Sequence, residues 1–201
     1  MSCNSQLDAL NESRLCDKCG ASIKPNAMPP FELETTGVMA YSAAIYEGTM
    51  KELIHSFKYK GKLTLTRTFI KLMADHIKEN PEILDVDLIT AVPLHRSRLM
   101  RREFNQSLVL ANKLAREFSL PAKDALKKTK KTKYQNELSK SERLTNLKGA
   151  FRVRDNNDIS GKDILLVDDV MTTGATLNEC ADTLLAGGAG SVKCFTLARG
   201  I

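Results

Sequence analysis

Asp168 and Asp169 stand side by side, and three positions further on the chain reads Thr172-Thr173-Gly174-Ala175-Thr176, three hydroxyls and one glycine in five residues. Neither acid has a basic residue beside it in sequence. Carboxylates accept hydrogen bonds from hydroxyls and repel phosphate. Threonine hydroxyls, a glycine that permits close backbone approach and the N–H groups of a helix start attract phosphate. The ligand implied has vicinal hydroxyls at one end and a phosphate at the other, and a ribose 5-phosphate fits. The plainer alternative is an ordinary strand-to-helix turn, since acidic and hydroxyl residues cap helices. A cap accounts for one Asp or Thr but not for the whole run. Neither G-x-x-x-x-G-K-[ST] nor G-x-G-x-x-G occurs, which disfavours a P-loop nucleotidase or a dinucleotide enzyme.

A second cluster is cationic. Pro93-Leu94-His95-Arg96-Ser97-Arg98-Leu99-Met100-Arg101-Arg102 follows a strand-like run at 86–92 and reads as a loop crowded with guanidinium groups, able to hold a pyrophosphate by bidentate hydrogen bonds. A solvated basic surface is the alternative. A third cluster is thiol-based: Cys16 and Cys19 form a C-x-x-C knuckle with Gly20 for the turn, and Cys3 offers a third ligand for a possible zinc ion. A frayed tail with free thiols is the alternative there.

These groups need elements to position them. Residues 164–167 form a short apolar run suited to a strand buried on both faces, ending at the acids, and residues 38–46, 86–92 and 192–197 read as further strands, with 151–153 as an edge strand. Apolar spacing predicts helices through Met50, Leu53, Ile54 and Phe57, through Leu65, Phe69, Leu72, Met73, His76 and Ile77, through Phe104, Leu108, Ala111, Ala115 and Phe118, and through Leu177, Cys180, Ala181, Leu184 and Leu185. Lys58, Lys60 and Gly61 suit the end of the first of these. His55 and His76 read as packing residues, and Cys180 and Cys194 as buried thiols without chemistry. Residues 127–149 lack an apolar period and carry many charges, which suits a mobile lid over a polyanion, or a basic linker.

Composition bounds the rest. At 201 residues the chain suits one α/β domain, here 36–201, preceded by a polar Cys-containing segment at 1–35. The formal charge of +6 suits a pyrophosphate substrate or nucleic acid. No membrane segment or secretory layout is read, so the cytoplasm is the expected compartment. Oligomeric state and the acceptor nucleophile leave no signature.

The run LLVDDVMTTGAT resembles the signature of the type I phosphoribosyltransferases, which bind phosphoribosyl pyrophosphate (PRPP). The C-x-x-C, LIHSFKYKGK, VPLHRSRLMRREFNQS, Gln135, Leu138, Arg143, Asn146 and LKGAF narrow the resemblance to the ComF family, associated with DNA uptake in competent bacteria. The family usually has Arg-Gly-Phe-Asn-Gln where this chain has Arg102-Glu103-Phe104-Asn105-Gln106, and commonly more than one C-x-x-C. The resemblance implies a type I phosphoribosyltransferase fold, a mainly parallel sheet flanked by helices with a small hood. It implies magnesium-dependent transfer of ribose 5-phosphate from PRPP to an unknown acceptor. Asp168 and Asp169 would hold the ribose hydroxyls. Val170, Met171, Thr172, Thr173, Gly174, Ala175 and Thr176 would wrap the 5′-phosphate. Pro93, Leu94, His95, Arg96, Arg98, Arg101 and Arg102 would meet the pyrophosphate, with Arg143 as a second clamp. The alternative is a non-catalytic accessory protein that binds single-stranded DNA through the arginines and the lysines at 127–133. Few aromatic residues accompany those lysines, so a base-stacking platform is not evident.

Overall fold

Ile164, Leu165, Leu166 and Val167 have no exposed surface, and the sheet is built outward from them. A computed structural model describes residues 15–130, 147–154 and 159–200. In it β6 (Asp163–Met171) lies between two parallel neighbours, β7 (Ser191–Arg199) and β3 (Leu88–Ala91). Beyond β7 come β2 (Met39–Ile45), parallel, and β1 (Phe31–Glu32), antiparallel, giving the order β1-β2-β7-β6-β3. The fold is thus α/β with a mainly parallel sheet.

Side chains alternate between two cores because strand residues alternate faces. Ile89, Ala91, Leu165, Val167, Phe195 and Leu197 pack with the buried faces of α2 (Gly48–Tyr59), α3 (Thr66–Glu79) and α5 (Gln106–Glu117). Leu88, Ile164, Leu166, Val192 and Cys194 pack on the other side with Leu177, Cys180, Ala181 and Leu184 of α6 (Ala175–Ala186). The spacing-based helices therefore form, and Cys180 and Cys194 are fully buried thiols whose pKa burial raises. His76 stacks on Phe195 at 5.8 Å and burial lowers its pKa. His55 is exposed beside Tyr59.

Four expectations are corrected. Residues 96–102 are not loop but a short helix, α4 (Arg96–Arg102), capped at its start by the His95 Nδ1, which accepts from the Ser97 N–H at 3.2 Å. Residues 151–153 are not an edge of the main sheet: β5 (Phe151–Val153) pairs antiparallel with β4 (Leu126–Lys128) in a separate two-stranded sheet that closes over α6. Lys127 and Lys128 thus belong to a strand, while the middle of the expected lid, 131–146, lies outside the described residues. The buried face of α5 is Leu110, Ala111, Leu114 and Ala115, with Phe104, Leu108 and Phe118 only half-buried at its margins.

The described part of the N-terminal segment runs along the outer edge of β2. The Ile45 N–H donates to the Lys24 carbonyl and the Asn26 N–H to the Ala43 carbonyl, while Leu15 and Ile23 enter the larger core. Cys16 precedes α1 (Asp17–Ala21) and Cys19 lies within it, both half-buried.

Candidate functional site

Strand lengths place the acids. β3 ends at Ala91, opposite Val167, whereas β6 continues beside β7 with Asp168 opposite Thr196, Val170 opposite Ala198 and Met171 opposite Arg199. From Asp168 onward one side of β6 therefore has no strand beside it. Ligands bind at such carboxyl-end openings of parallel sheets. The acids lie inside the strand and not just after it, so the threonine loop begins at Thr172.

The two carboxylates have different surroundings. Asp168 keeps part of its surface at the cleft, but its carboxyl is enclosed, and its Oδ1 accepts from the Ser107 hydroxyl at 2.6 Å and from the Asp169 N–H at 2.8 Å. Burial, then the neighbouring Asp169 charge, pushes the Asp168 carboxyl up to about 7, against the opposing pull of Ser107 and Lys58. Asp169 is 6% exposed and its Oδ1 meets the Lys58 Nζ at 2.7 Å. Burial works against the Lys58 ammonium, but the Asp169 charge and hydrogen bond outweigh it and hold the lysine above its ordinary pKa.

The threonine loop is shaped from beneath. Gly174 adopts φ 75° and caps α6, and a Cβ there would come 2.9 Å from Leu33 Cδ2 and 3.4 Å from Phe31 Cε1. The glycine is thus demanded by backbone hand and by the β1–β2 hairpin packed under the loop, a different reason from the anion approach expected from sequence. Asn178 ties that hairpin to α6 by accepting from the Thr35 N–H, the Thr36 N–H and the Thr36 hydroxyl at 3.2–3.3 Å. Thr172 is exposed, Thr173 and Thr176 are half-buried, and a small concavity runs from Asp168 along residues 170–177.

Across Asp169, Lys58 opens into a pocket of about 650 Å³ shared with Arg98 and Arg102. Arg102 is oriented from two sides: its guanidinium lies 4.8 Å over the Tyr59 ring, and it donates to Tyr59 Oη at 2.9 Å and to Gln106 Oε1 at 3.2 Å. Gln106 Nε2 is buried and has no hydrogen-bond partner among the described residues. Pro93 is buried, Leu94 and His95 are half-buried, and Arg96 is exposed and does not line this pocket. Arg101 belongs to α4, and Arg143 and Cys3 lie outside the described residues. Among the described residues no three His, Cys, Asp or Glu side chains converge as a metal site.

Two functional candidates escaped the sequence reading, and Lys128, expected on a basic lid or DNA-binding surface, faces another way. Lys58 lies one helical turn after Ile54, on the buried stripe of α2, and a lysine on such a stripe needs an anion. Ser107 sits in the first turn of α5, facing Asp168, without a sequence signal of its own. Lys128 turns inward from β4, its ammonium 5.0 Å over the Phe151 ring, and burial and then Arg98 lower its pKa to about 8.

The acidic pair and the threonine-glycine loop thus stand together at the open end of a parallel strand, and the comparisons give the family. Residues 105–201 match the phosphoribosyl transferase domain family. The "DNA utilization protein YhgH" of Escherichia coli K12 is 30% identical over 195 residues, spanning 94% of this chain and 85% of that one. "Competence protein ComFC" of Streptococcus pneumoniae is 30% identical over 200 residues, 98% of this chain and 86% of that one. Among solved structures, the adenine phosphoribosyltransferase of Giardia lamblia complexed with 9-deazaadenine is 14% identical, with a TM-score of 0.47 over 90% of this chain and 95% of that one. The chain belongs to the ComF family of the type I phosphoribosyltransferase-like superfamily. No helix among the described residues is long and apolar enough to cross a membrane.

Proposed function

We propose that this protein binds PRPP and transfers its ribose 5-phosphate to an acceptor with release of pyrophosphate. The observation that carries the reading is the contiguity of three surfaces of different charge: the threonine loop, the acidic pair and the arginine-lined pocket, joined through Asp168, Asp169 and Lys58. The loop at 172–176 takes the 5′-phosphate on hydroxyls and the start of α6. Asp168 and Asp169 accept the ribose hydroxyls and face the positive charge that develops on the ring as the anomeric C–O bond breaks. That bond's electron pair leaves with the pyrophosphate, toward Arg98 and Arg102, and the acceptor's lone pair forms the new bond as its proton departs. Arg143, outside the described residues, would be a second clamp on the same diphosphate by the family resemblance.

Magnesium fits the donor chemistry, since the Asp168 and Asp169 carboxylates and the diphosphate's own oxygens are hard ligands, and when bound it would neutralise charge on the leaving group. Zinc at Cys3, Cys16 and Cys19 is a separate proposal with a structural role.

A calorimetric titration with PRPP, with and without magnesium, followed by a screen of acceptors for pyrophosphate release, tests this reading. Saturable magnesium-dependent binding with turnover on some acceptor is expected, and no binding in either condition contradicts it.

A relative named for DNA utilization motivates a second reading, binding of single-stranded DNA, for which Lys127 and Lys130 are exposed. Its test is the salt slope of oligonucleotide binding after neutralising Lys127, Lys130, Lys131 and Lys133, with a loss of roughly 0.7 in slope per lost contact. An unchanged slope contradicts it. Lys128 is not part of that surface, because its ammonium faces inward.

A further inference from the structure

We infer that the C-terminal end of α2 is the second wall of the diphosphate pocket, and that Lys58 is a positioning cation exchanged between Asp169 in the free protein and the diphosphate in the complex. This rests on the proposed PRPP reading and extends it to residues outside both the threonine loop and the arginine helix.

The pocket beyond Asp169 is lined by four cations, Lys58, Lys60, Arg98 and Arg102, against one carboxylate, Glu103. The excess of three positive charges suits a multiply charged anion better than a single phosphate. Two of the four come from the last turn of α2 and its cap. A helix C-terminus by itself repels anions, so lysines at that end are needed to reverse the local field. Arg102 stands preoriented between Tyr59 of α2 and Gln106 of α5, and among the described residues one hydrogen bond from each terminal nitrogen is used, which leaves other guanidinium donors for a ligand.

Lys58 links this pocket to the acidic pair. Its ammonium is bonded to Asp169 at 2.7 Å with side-chain exposures of 18% and 9%, so neither charge has much water. A buried ammonium that loses its carboxylate must find another anion. When ribose hydroxyls occupy Asp169, the diphosphate in the adjoining pocket is the anion within the lysine's reach. Lys58 thereby keeps Asp169 neutralised and in place without ligand and adds a cation to the leaving group with it.

The test compares full-length wild type with Lys58→Met, Lys58→Arg and Lys60→Met by calorimetry against three probes: PRPP, inorganic pyrophosphate and ribose 5-phosphate. Lys58→Met is expected to weaken pyrophosphate and PRPP at least tenfold while leaving ribose 5-phosphate equal or tighter, because Asp169 is released. Lys58→Arg restores most of the pyrophosphate affinity. Lys60→Met, at an exposed position on the pocket rim, weakens pyrophosphate severalfold and carries the test if Lys58→Met does not fold. Equal losses for ribose 5-phosphate and pyrophosphate in Lys58→Met, or unchanged pyrophosphate affinity in Lys60→Met, overturn the inference. Wild type that binds pyrophosphate through these residues but not PRPP contradicts the substrate assignment and leaves the diphosphate wall standing.

Discussion

Asp168 shows how a site residue works against the fold that holds it. Its carboxyl titrates at about 7 instead of 3.8, so between those values the folded chain holds a proton that the unfolded chain releases. Stability therefore falls as pH rises across that window and stays lowered above it. Both hydrogen bonds to the Asp168 carboxyl from the described residues end on Oδ1, so the amide oxygen introduced by Asp168→Asn can accept both. Asp168→Asn is expected to melt higher than wild type at pH 8, by an amount on the order of 1 kcal/mol or more, roughly 2–4 °C per kcal/mol, with the gap narrowing toward pH 5. A variant that melts lower at pH 8 contradicts this placement of the carboxyl. Glu103 bears a different strain: it ends α4 at φ 66°, where a side chain is disfavoured, and the family's usual glycine at that position now has a physical reason. Glu103→Gly should raise stability by about 1 kcal/mol less the glycine's extra unfolded freedom, read as a higher urea midpoint at unchanged m. A lowered midpoint would show that the glutamate side chain holds the turn.

At the scale of elements, the threonine loop depends on the β1–β2 hairpin beneath it. Gly174→Val adds a branched side chain at φ 75° against Leu33 and is expected to cost about 1–3 kcal/mol and most PRPP affinity. Thr172→Ser keeps the hydroxyl on an exposed position and should change neither quantity measurably; equal effects of the two substitutions in melting and calorimetry would contradict the cradle. Cys16 and Cys19 flank the first turn of α1 and would supply two of the four ligands that a structural zinc needs. Elemental analysis of protein purified without added metal should find less than one equivalent of zinc, and stoichiometric, chelator-resistant zinc would contradict that. The elements least legible in the sequence are α4 and β4. The apolar residues of α4, Leu99 and Met100, are exposed and leave no inward stripe to read, and β4 is a leucine followed by two lysines that finds its partner β5 only across residues 129–150.

At the scale of the molecule, the parallel strands were legible because burial on both faces keeps them mostly apolar, and the acids and threonines stood out because they follow the wholly apolar run 164–167. The Lys58–Asp169 contact was not, because α2 and β6 meet only after the sheet and α5 bring their ends together, and a lysine near a helix end reads first as a dipole partner. Sequence therefore located the acidic pair and the threonine loop, while folding supplied the cation between them and the arginine pocket. The central claim is that Asp168 and Asp169 serve a ligand and not the core. Calorimetry of PRPP with magnesium on Asp168→Asn combined with Asp169→Asn, after circular dichroism shows the variant folded, tests it most directly: the account predicts one saturable site in wild type and no detectable heat of binding in the variant, and a folded double variant with unchanged affinity would contradict it.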